Sequence, residues 1–399
     1  MNSHTIRFRL NNNYIPEGYF PNIRVLTRRK NKKDNTCILN HQEMQQMMET
    51  KNKIDKYYDM KKWDKVKKDT NPYEMIYITN KKNRWSSVSK YEPLSRSYFK
   101  MVEIAQEFFE DILGKEQSIT TVSLAEGPGG FIEGLVNLRQ RPDDKLYGIT
   151  LVSDNREVPG WRRSWYFLSN NQNVNIVTGI DGKGDLYNLD NHTYMENRVG
   201  SEKADIVTGD GGFDFSIDYN QQEFLAQKLI FSQMIMAVSL QKMGGSFVCK
   251  FFDSYTIITN QIIFILLCLY RNVTIFKPYT SRPANSEKYI VCQGFKGISG
   301  FNLMLLKNVL RMWNSINNRT TFKSIIGFMP KEFMKQMREI NLFIQNEQTK
   351  YIMETINIIE NPRDKDKKRE GIIRQIKNAE EWCKKYNVPY RNIKVNKYI

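Results

Sequence analysis

The chain has 399 residues, 40% of them hydrophobic and 26% charged, with a formal net charge of +17. These proportions exclude a disordered or fibrous chain, and the length allows two to three domains of roughly 100–200 residues each. The charge favours an anionic partner, nucleic acid or a membrane surface, and says nothing of fold. Its distribution is uneven: net +12 over residues 1–100, −5 over 101–300 and +10 over 301–399. Two basic flanks gripping nucleic acid around a catalytic middle would give that pattern, and so would an ordinary solvated surface rich in Lys.

Residues 1–90 are rich in Lys, Asn and Tyr, with basic clusters at Arg28–Lys33 and Lys61–Lys68 and weak periodicity. One helix is expected there, around His41–Lys68. From Leu94 the texture changes, and the apolar spacing of Tyr98, Phe99, Met101, Val102, Ile104, Ala105, Phe108 and Phe109 predicts a helix. Buried strands are expected at Thr121–Leu124, Lys145–Leu151, Val174–Thr178, Ala204–Thr208, Gly245–Phe251, Asn272–Phe276 and Lys288–Cys292. Helices are expected between them at Phe131–Arg139, Gln221–Lys242 and Thr256–Tyr270. Such alternation predicts an open, mostly parallel α/β sheet. After residue 298 strand texture ends, and helices are expected at Leu303–Asn314, Lys331–Glu347, Lys350–Ile359 and Arg369–Tyr386, with a break at Asn361-Pro362-Arg363-Asp364. The chain thus divides into a basic N-terminal extension (1–90), an α/β domain (91–298) and a basic helical region (299–399). The last reads as a packing appendage, with nucleic-acid contact added through Lys365–Arg369.

Five cysteines, Cys37, Cys249, Cys268, Cys292 and Cys383, lie far apart with no C-x-x-C pair. That argues against a disulfide framework and a Cys-type zinc site and suits a reducing compartment. Three histidines, His4, His41 and His192, supply neither an H-E-x-x-H helix nor a His-rich site, so no metal is expected. The start, Met-Asn-Ser-His-Thr-Ile-Arg, does not read as a signal peptide. The most apolar run, Ile257–Leu269, is shorter than the ~20 residues that span a bilayer and reads as a buried helix. The expectation is an intracellular soluble protein with no membrane partner.

Leu124-Ala125-Glu126-Gly127-Pro128-Gly129-Gly130-Phe131 follows a strand and opens a helix, where ligands bind in α/β sheets. It is neither G-x-G-x-x-G nor a P-loop, so a dinucleotide enzyme is not indicated. The stretch resembles motif I of the FtsJ-type RNA 2′-O-ribose methyltransferases. Residues 94–297 are similar to the eukaryotic and large-DNA-virus mRNA cap 2′-O-methyltransferases through further stretches in order: Ser95–Lys100, Gly179–Asp185, Gly209–Phe213, Gly244–Lys250 and Thr280–Glu287. The resemblance implies a Rossmann-like, doubly wound, mostly parallel seven-stranded sheet, S-adenosylmethionine as cofactor and capped RNA as substrate. The family's Lys-Asp-Lys-Glu tetrad falls on Lys100, Asp210, Lys250 and Glu287. Relatives often carry Cys-Ala where this chain has Ala125-Glu126, a departure that touches how the methionine amino group is held.

Methyl transfer to a ribose hydroxyl needs a positioned base. A lysine, with an ordinary pKa of about 10.4, serves only if its surroundings lower that value. Lys250 is the expected base, pushed down by Lys100 and the cationic sulfonium and oriented, like Lys100, by Asp210 and Glu287. The resemblance places cofactor contacts at Glu126 and the backbone of Gly127, Pro128, Gly129, Gly130 and Phe131. It adds Asp185 (with Asp181 as the competing acid), Ser95 and Asp210 itself. Substrate contacts fall on Asn220, Gln221, Arg282 and Glu287, where Asn220 and Gln221 also suit a helix cap and Arg282 a phosphate. A cap guanine needs an aromatic platform, for which Trp85, Tyr91, Tyr73, Trp161 and Trp165 are candidates. Two other readings stand beside this one: methylation of internal rRNA or tRNA ribose, and an RNA-binding structural protein that retains the fold. Other capping or transcription proteins are expected partners. The abundance of Asn, Ile and Lys suggests an AT-rich genome, such as that of a cytoplasmic large DNA virus; a cellular protein would be nuclear.

Overall fold

The computed structural model describes residues 6–29, 40–58, 62–78, 87–155, 158–212, 219–317 and 319–393. Among them run ten strands: β1 Ile6–Arg9, β2 Ile23–Arg29, β3 Thr120–Leu124, β4 Lys145–Ile149, β5 Val174–Val177, β6 Ala204–Gly209, β7 Gln241–Phe251, β8 Tyr270–Lys277, β9 Lys288–Phe295 and β10 Thr320–Ile326. Eight form one sheet in the order β1-β8-β9-β7-β6-β3-β4-β5, and β10 pairs antiparallel with β2. From β5 to β7 every ladder is parallel, while β9 runs antiparallel to β7 and β8, and β8 to β1. Parallel strands with both faces covered read as continuous apolar runs, and β3 has all five residues buried.

Helices Gly130–Arg139, Leu189–Val199, Gln222–Leu240 and Ile257–Leu269 make the crossovers between β3 and β4, β5 and β6, β6 and β7, and β7 and β8. Helix Gln222–Leu240 is long and apolar enough to cross a membrane by length and composition, yet most of it is buried in the fold. Helix Ile257–Leu269 is buried along nearly its whole length, and Thr256 caps it by accepting from the Thr259 amide. Strand order reverses between β3 and β6, and a ligand crevice forms outside the carboxyl ends of the strands at such a point.

Four departures from the sequence reading have physical causes. The sheet has eight strands rather than seven, because Ile6-Arg7-Phe8-Arg9 alternates over too few residues to stand out and gains its strand character by pairing with β8. Beyond residue 298 strand structure persists as β10, whose partner β2 lies almost 300 residues earlier. The two helices expected within 331–359 are one, Lys331–Glu360, since nothing between Glu347 and Lys350 breaks it. The last helix begins earlier than expected, at Lys365, where Asp364 accepts from the Lys367 amide. Residues Cys37, His4, Trp85, Phe213 and 30–33 of the first basic cluster lie outside the described residues.

The C-terminal helix, Lys365–Lys385, is fastened through Trp382, which is 2% exposed. Its ring meets Phe99 edge-on at 5.8 Å, and its indole N–H donates to Glu103 Oε2 at 3.0 Å. Glu103 also accepts from the Tyr279 and Thr280 amides, at 2.6 and 3.3 Å. Burial pushes its pKa up to about 7 in spite of these donors. Trp382→Ala should therefore cost about 3–5 kcal/mol in chemical denaturation, from the lost ring and one donor fewer on the buried carboxylate.

Candidate active site

Four loops meet at one edge of the sheet: the glycine loop after β3, residues 150–152 after β4, the Gly179–Asp185 turn after β5, and Asp210-Gly211-Gly212 after β6. Lys250 lies one residue from the end of β7, and Glu287 immediately precedes β9. Because β9 is antiparallel, with Phe251 opposite Lys288, its beginning lies at the same edge as the end of β7.

The glycine loop is pinned from both sides. Ser164 Oγ donates to the Pro128 carbonyl, and a Cβ on Gly130 would stand 2.3 Å from the Oγ atoms of both Ser95 and Ser97. Ser95 is thus set against the loop, and the helix Ser97–Phe108 that carries Lys100 starts there. Glu126 is buried and turns inward, its Oε1 accepting from the Phe131 and Ile132 amides at the start of helix Gly130–Arg139. Its Oε2 has no hydrogen-bond partner, and burial, then the neighbouring Asp210, hold its pKa well above the usual carboxylate range. Within the run, the Phe131 amide is taken by Glu126 and the Gly129 amide by the Glu126 carbonyl at 2.6 Å.

The four expected tetrad residues form two close pairs, and Glu287 and Lys250 feel each other's charge. Lys100 Nζ lies 2.7 Å from Glu287 Oε1 and 2.8 Å from its Oε2. Lys250 Nζ donates to the Asp210 carbonyl at 2.7 Å and lies 3.3 Å from Asp210 Oδ1. The Tyr289 hydroxyl donates to that Oδ1 at 3.0 Å, and Ser281 Oγ to Glu287 Oε1 at 2.8 Å. Burial would raise the Glu287 pKa, but Lys100 and then Lys250 hold it down at about 2. The part of the downward push on Lys250 expected from Lys100 is offset within the protein. Burial does lower its pKa, but Asp210 and Glu287 outweigh it and the net shift is upward, since the charge of Lys100 is cancelled by Glu287.

The remaining candidates divide. Asp181 accepts from the Lys183 amide and the Asn188 and Asn191 side chains, so the turn itself occupies it. Asp185 accepts from the Tyr187 amide through Oδ1 alone. Gly184, at φ +64°, lies so close to the end of β4 that a Cβ would be 2.1 Å from the Thr150 carbonyl oxygen. Asn220 bonds Asn52 at 2.7 Å, and Gln221 makes no cap hydrogen bond, so neither caps helix Gln222–Leu240. The Arg282 guanidinium is closed on Glu74 by two bonds of 2.9 and 3.0 Å, leaving less of it for a phosphate. Among the aromatics, Tyr73 packs on Tyr279, Tyr91 stacks on Tyr98, Trp161 leans on Gly129, and Trp165 is 70% exposed. Tyr289 and Ser281 were not anticipated: Tyr289 sits in a buried apolar strand, and only the pairing of β9 with β7 brings its hydroxyl to Asp210.

A sequence profile described as FtsJ-like methyltransferase matches residues 93–295. The Caenorhabditis briggsae protein named cap-specific mRNA (nucleoside-2′-O-)-methyltransferase 1A is 27% identical over 368 residues, 85% of this chain and 41% of that one. The human cap-specific mRNA (nucleoside-2′-O-)-methyltransferase 1 is 32% identical over 236 residues, 57% of this chain and 27% of its own. The Trypanosoma cruzi protein of that name is 30% identical, covering 59% of this chain and 65% of itself. The chain spans less than two thirds of the length of these curated relatives. Among solved structures, a Plasmodium falciparum ribosomal RNA methyltransferase aligns over 51% of this chain and all of its own, at 18% identity and a TM-score of 0.38.

A Cβ at Gly182 meets open space and one at Gly184 meets a carbonyl. Gly184→Ala should therefore cost at least about 1 kcal/mol more than Gly182→Ala in thermal or urea unfolding, since both replace a positive φ and only the first adds a clash.

Proposed function

The chain belongs to the FtsJ-like methyltransferases, and we propose that it moves a methyl group from S-adenosylmethionine to the ribose 2′-hydroxyl of the nucleotide beside an mRNA cap. The observation that carries this reading is the two charge pairs Lys100–Glu287 and Lys250–Asp210, brought to one edge of the sheet beside the glycine loop.

The residues present fit that donor. Glu126 keeps one buried carboxylate oxygen without a protein partner, Gly127 and Pro128 of the glycine loop stay partly exposed, and Asp185 commits one oxygen only to its own turn. Glu126, the glycine loop, Ser95 and Asp185 would hold the donor, which supplies a methyl group on a positively charged sulfur. Lys250, its proton loosened by the donor's positive charge, would take the hydroxyl proton while the methyl leaves its sulfur as a neutral thioether, and Asp210 would pair with the resulting ammonium, to which it already lies close. Glu287 neutralises Lys100, so two ammonium groups stand near one hydroxyl without repelling each other.

The cap is supported by the names of the relatives and by the Thr280–Glu287 run, which ends in Glu287 itself. The exposed basic residues 365–369 are a surface for the body of the RNA. The Asn-, Ile- and Lys-rich composition supports an AT-rich genome and action in the cytoplasm, while the relatives named are cellular.

Methyl transfer from labelled S-adenosylmethionine to matched capped and uncapped RNAs, followed by nuclease mapping, tests the reading. Label at the 2′-oxygen beside the cap is expected, and label at internal ribose of uncapped RNA would replace it with an rRNA- or tRNA-type activity. Lys250→Ala should lower the rate by about 10²–10⁴-fold while donor affinity, read by calorimetry, stays within a few-fold. Because the base acts as the neutral amine and its pKa is raised, the wild-type rate should climb with pH through the range where lysine titrates. Glu287→Gln removes a negative charge that favours the ammonium, so its pH midpoint should fall; an upward shift would exclude Lys250 as the base.

A further inference from the structure

Glu287 stands at the end of a turn, residues 278–287, and something must hold that turn. Lys277, the last residue of β8, is 6% exposed. Its Nζ lies among four oxygens: Asn285 Oδ1 and the Glu287 carbonyl at 2.7 Å, the Asn285 carbonyl at 2.9 Å and Ser281 Oγ at 3.3 Å. Among the described residues no carboxylate pairs with it. A buried cation is costly unless its N–H groups all find acceptors, and here they find them at three points of one turn. Ser281 carries the connection on, its hydroxyl donating to the same Glu287 oxygen that lies 2.7 Å from Lys100. A second lysine does a related job: Lys288 donates to the Ser286 carbonyl at 2.7 Å and faces Asp253 at 3.8 Å, while Asp253 is itself paired with Lys51 at 2.6 Å.

We propose that Lys277 is a positioning residue for methyl transfer, fixing the Ser281–Glu287 turn so that the Glu287 carboxylate stands between Lys100 and Lys250. Lys277 touches none of the groups assigned to the reaction except through the Glu287 backbone and Ser281, so its effect passes through Glu287. The inference rests on the function proposed above for that site, and the experiment separates the two.

Lys277→Met keeps the length of the side chain and removes its donors. Amide hydrogen exchange in the free protein should quicken at least tenfold over residues 281–287 and stay unchanged in the glycine loop at 126–131. With capped RNA, kcat should fall at least tenfold, with KM and S-adenosylhomocysteine affinity within threefold of wild type. Unchanged exchange in the turn, or unchanged kcat, overturns the proposal, as does a loss confined to KM. If Lys277→Met does not fold, Asn285→Ala removes one oxygen of the cage without stranding a buried charge; it should lower kcat three- to tenfold, and a wild-type kcat overturns the proposal. In the Glu287→Gln background Lys277→Met should add less than twofold, whereas a multiplicative loss would mean that Lys277 acts by another route. Full activity of Lys250→Ala and Glu287→Gln would sink the functional reading, and the exchange measurement would still decide whether Lys277 orders the turn.

Discussion

Two ammonium groups near one reacting oxygen repel each other, and in a cleft only partly open to water that repulsion is weakly screened. The site depends on how this conflict is settled: a carboxylate, Glu287, bound to Lys100 and close enough to Lys250 to be held strongly acidic by both. With Lys100 neutralised, Lys250 belongs to Asp210, whose backbone carbonyl and side chain both lie within reach of it. The result is alternation of sign along a line, in which each lysine has its own acid and neither is left as an unpaired buried charge.

The sheet is what makes that alternation possible. Lys100 and Glu287 are 187 residues apart and meet because a helix leaning on the glycine loop faces the beginning of β9. Asp210 and Lys250 come from neighbouring parallel strands, which end together by register. The reversal of direction at β9 matters most: a parallel strand in that place would put residue 287 at the far edge of the sheet, away from Lys250. The donor-binding half of the site and the charged half are in contact where Gly211 approaches Ala125, so the glycine loop and the acid after β6 are set by the same packing.

The sequence made legible those parts in which local pattern and local chemistry coincide. Buried parallel strands announce themselves as apolar runs, the glycine loop by composition, and Lys100, Asp210, Lys250 and Glu287 by motifs that each sit within a few residues. What could not be read depends on pairing across long separations. Arg282 looks like a phosphate binder until Glu74, 208 residues away, closes its fork. Lys277 ends an apolar strand much as Lys250 does, and only the fold shows that Lys250 faces Asp210 and Lys277 a cage of backbone and side-chain oxygens. The upward shift of Lys250 was missed for the same reason, since the charge of Lys100 counts only after its partner is known. Strands β1 and β2 are short, alternate with arginine, and take their structure from partners near the other end of the chain.

That last feature has a bearing on how the protein matures. Ile6 lies opposite Lys277 in the ladder between β1 and β8, so β1 has no partner until about 270 residues later in synthesis. At typical synthesis rates of about 5–20 residues per second, the delay is roughly 10 to 50 s. The parallel strands β3 to β7 are complete before then and can assemble around the glycine loop, whereas the antiparallel end must wait. Closing the sheet edge with β1 completes the ladder on the strand that ends in Lys277. The fold therefore completes the glycine-loop edge of the sheet early in synthesis and brings Glu287 to the same edge as Lys250 only late.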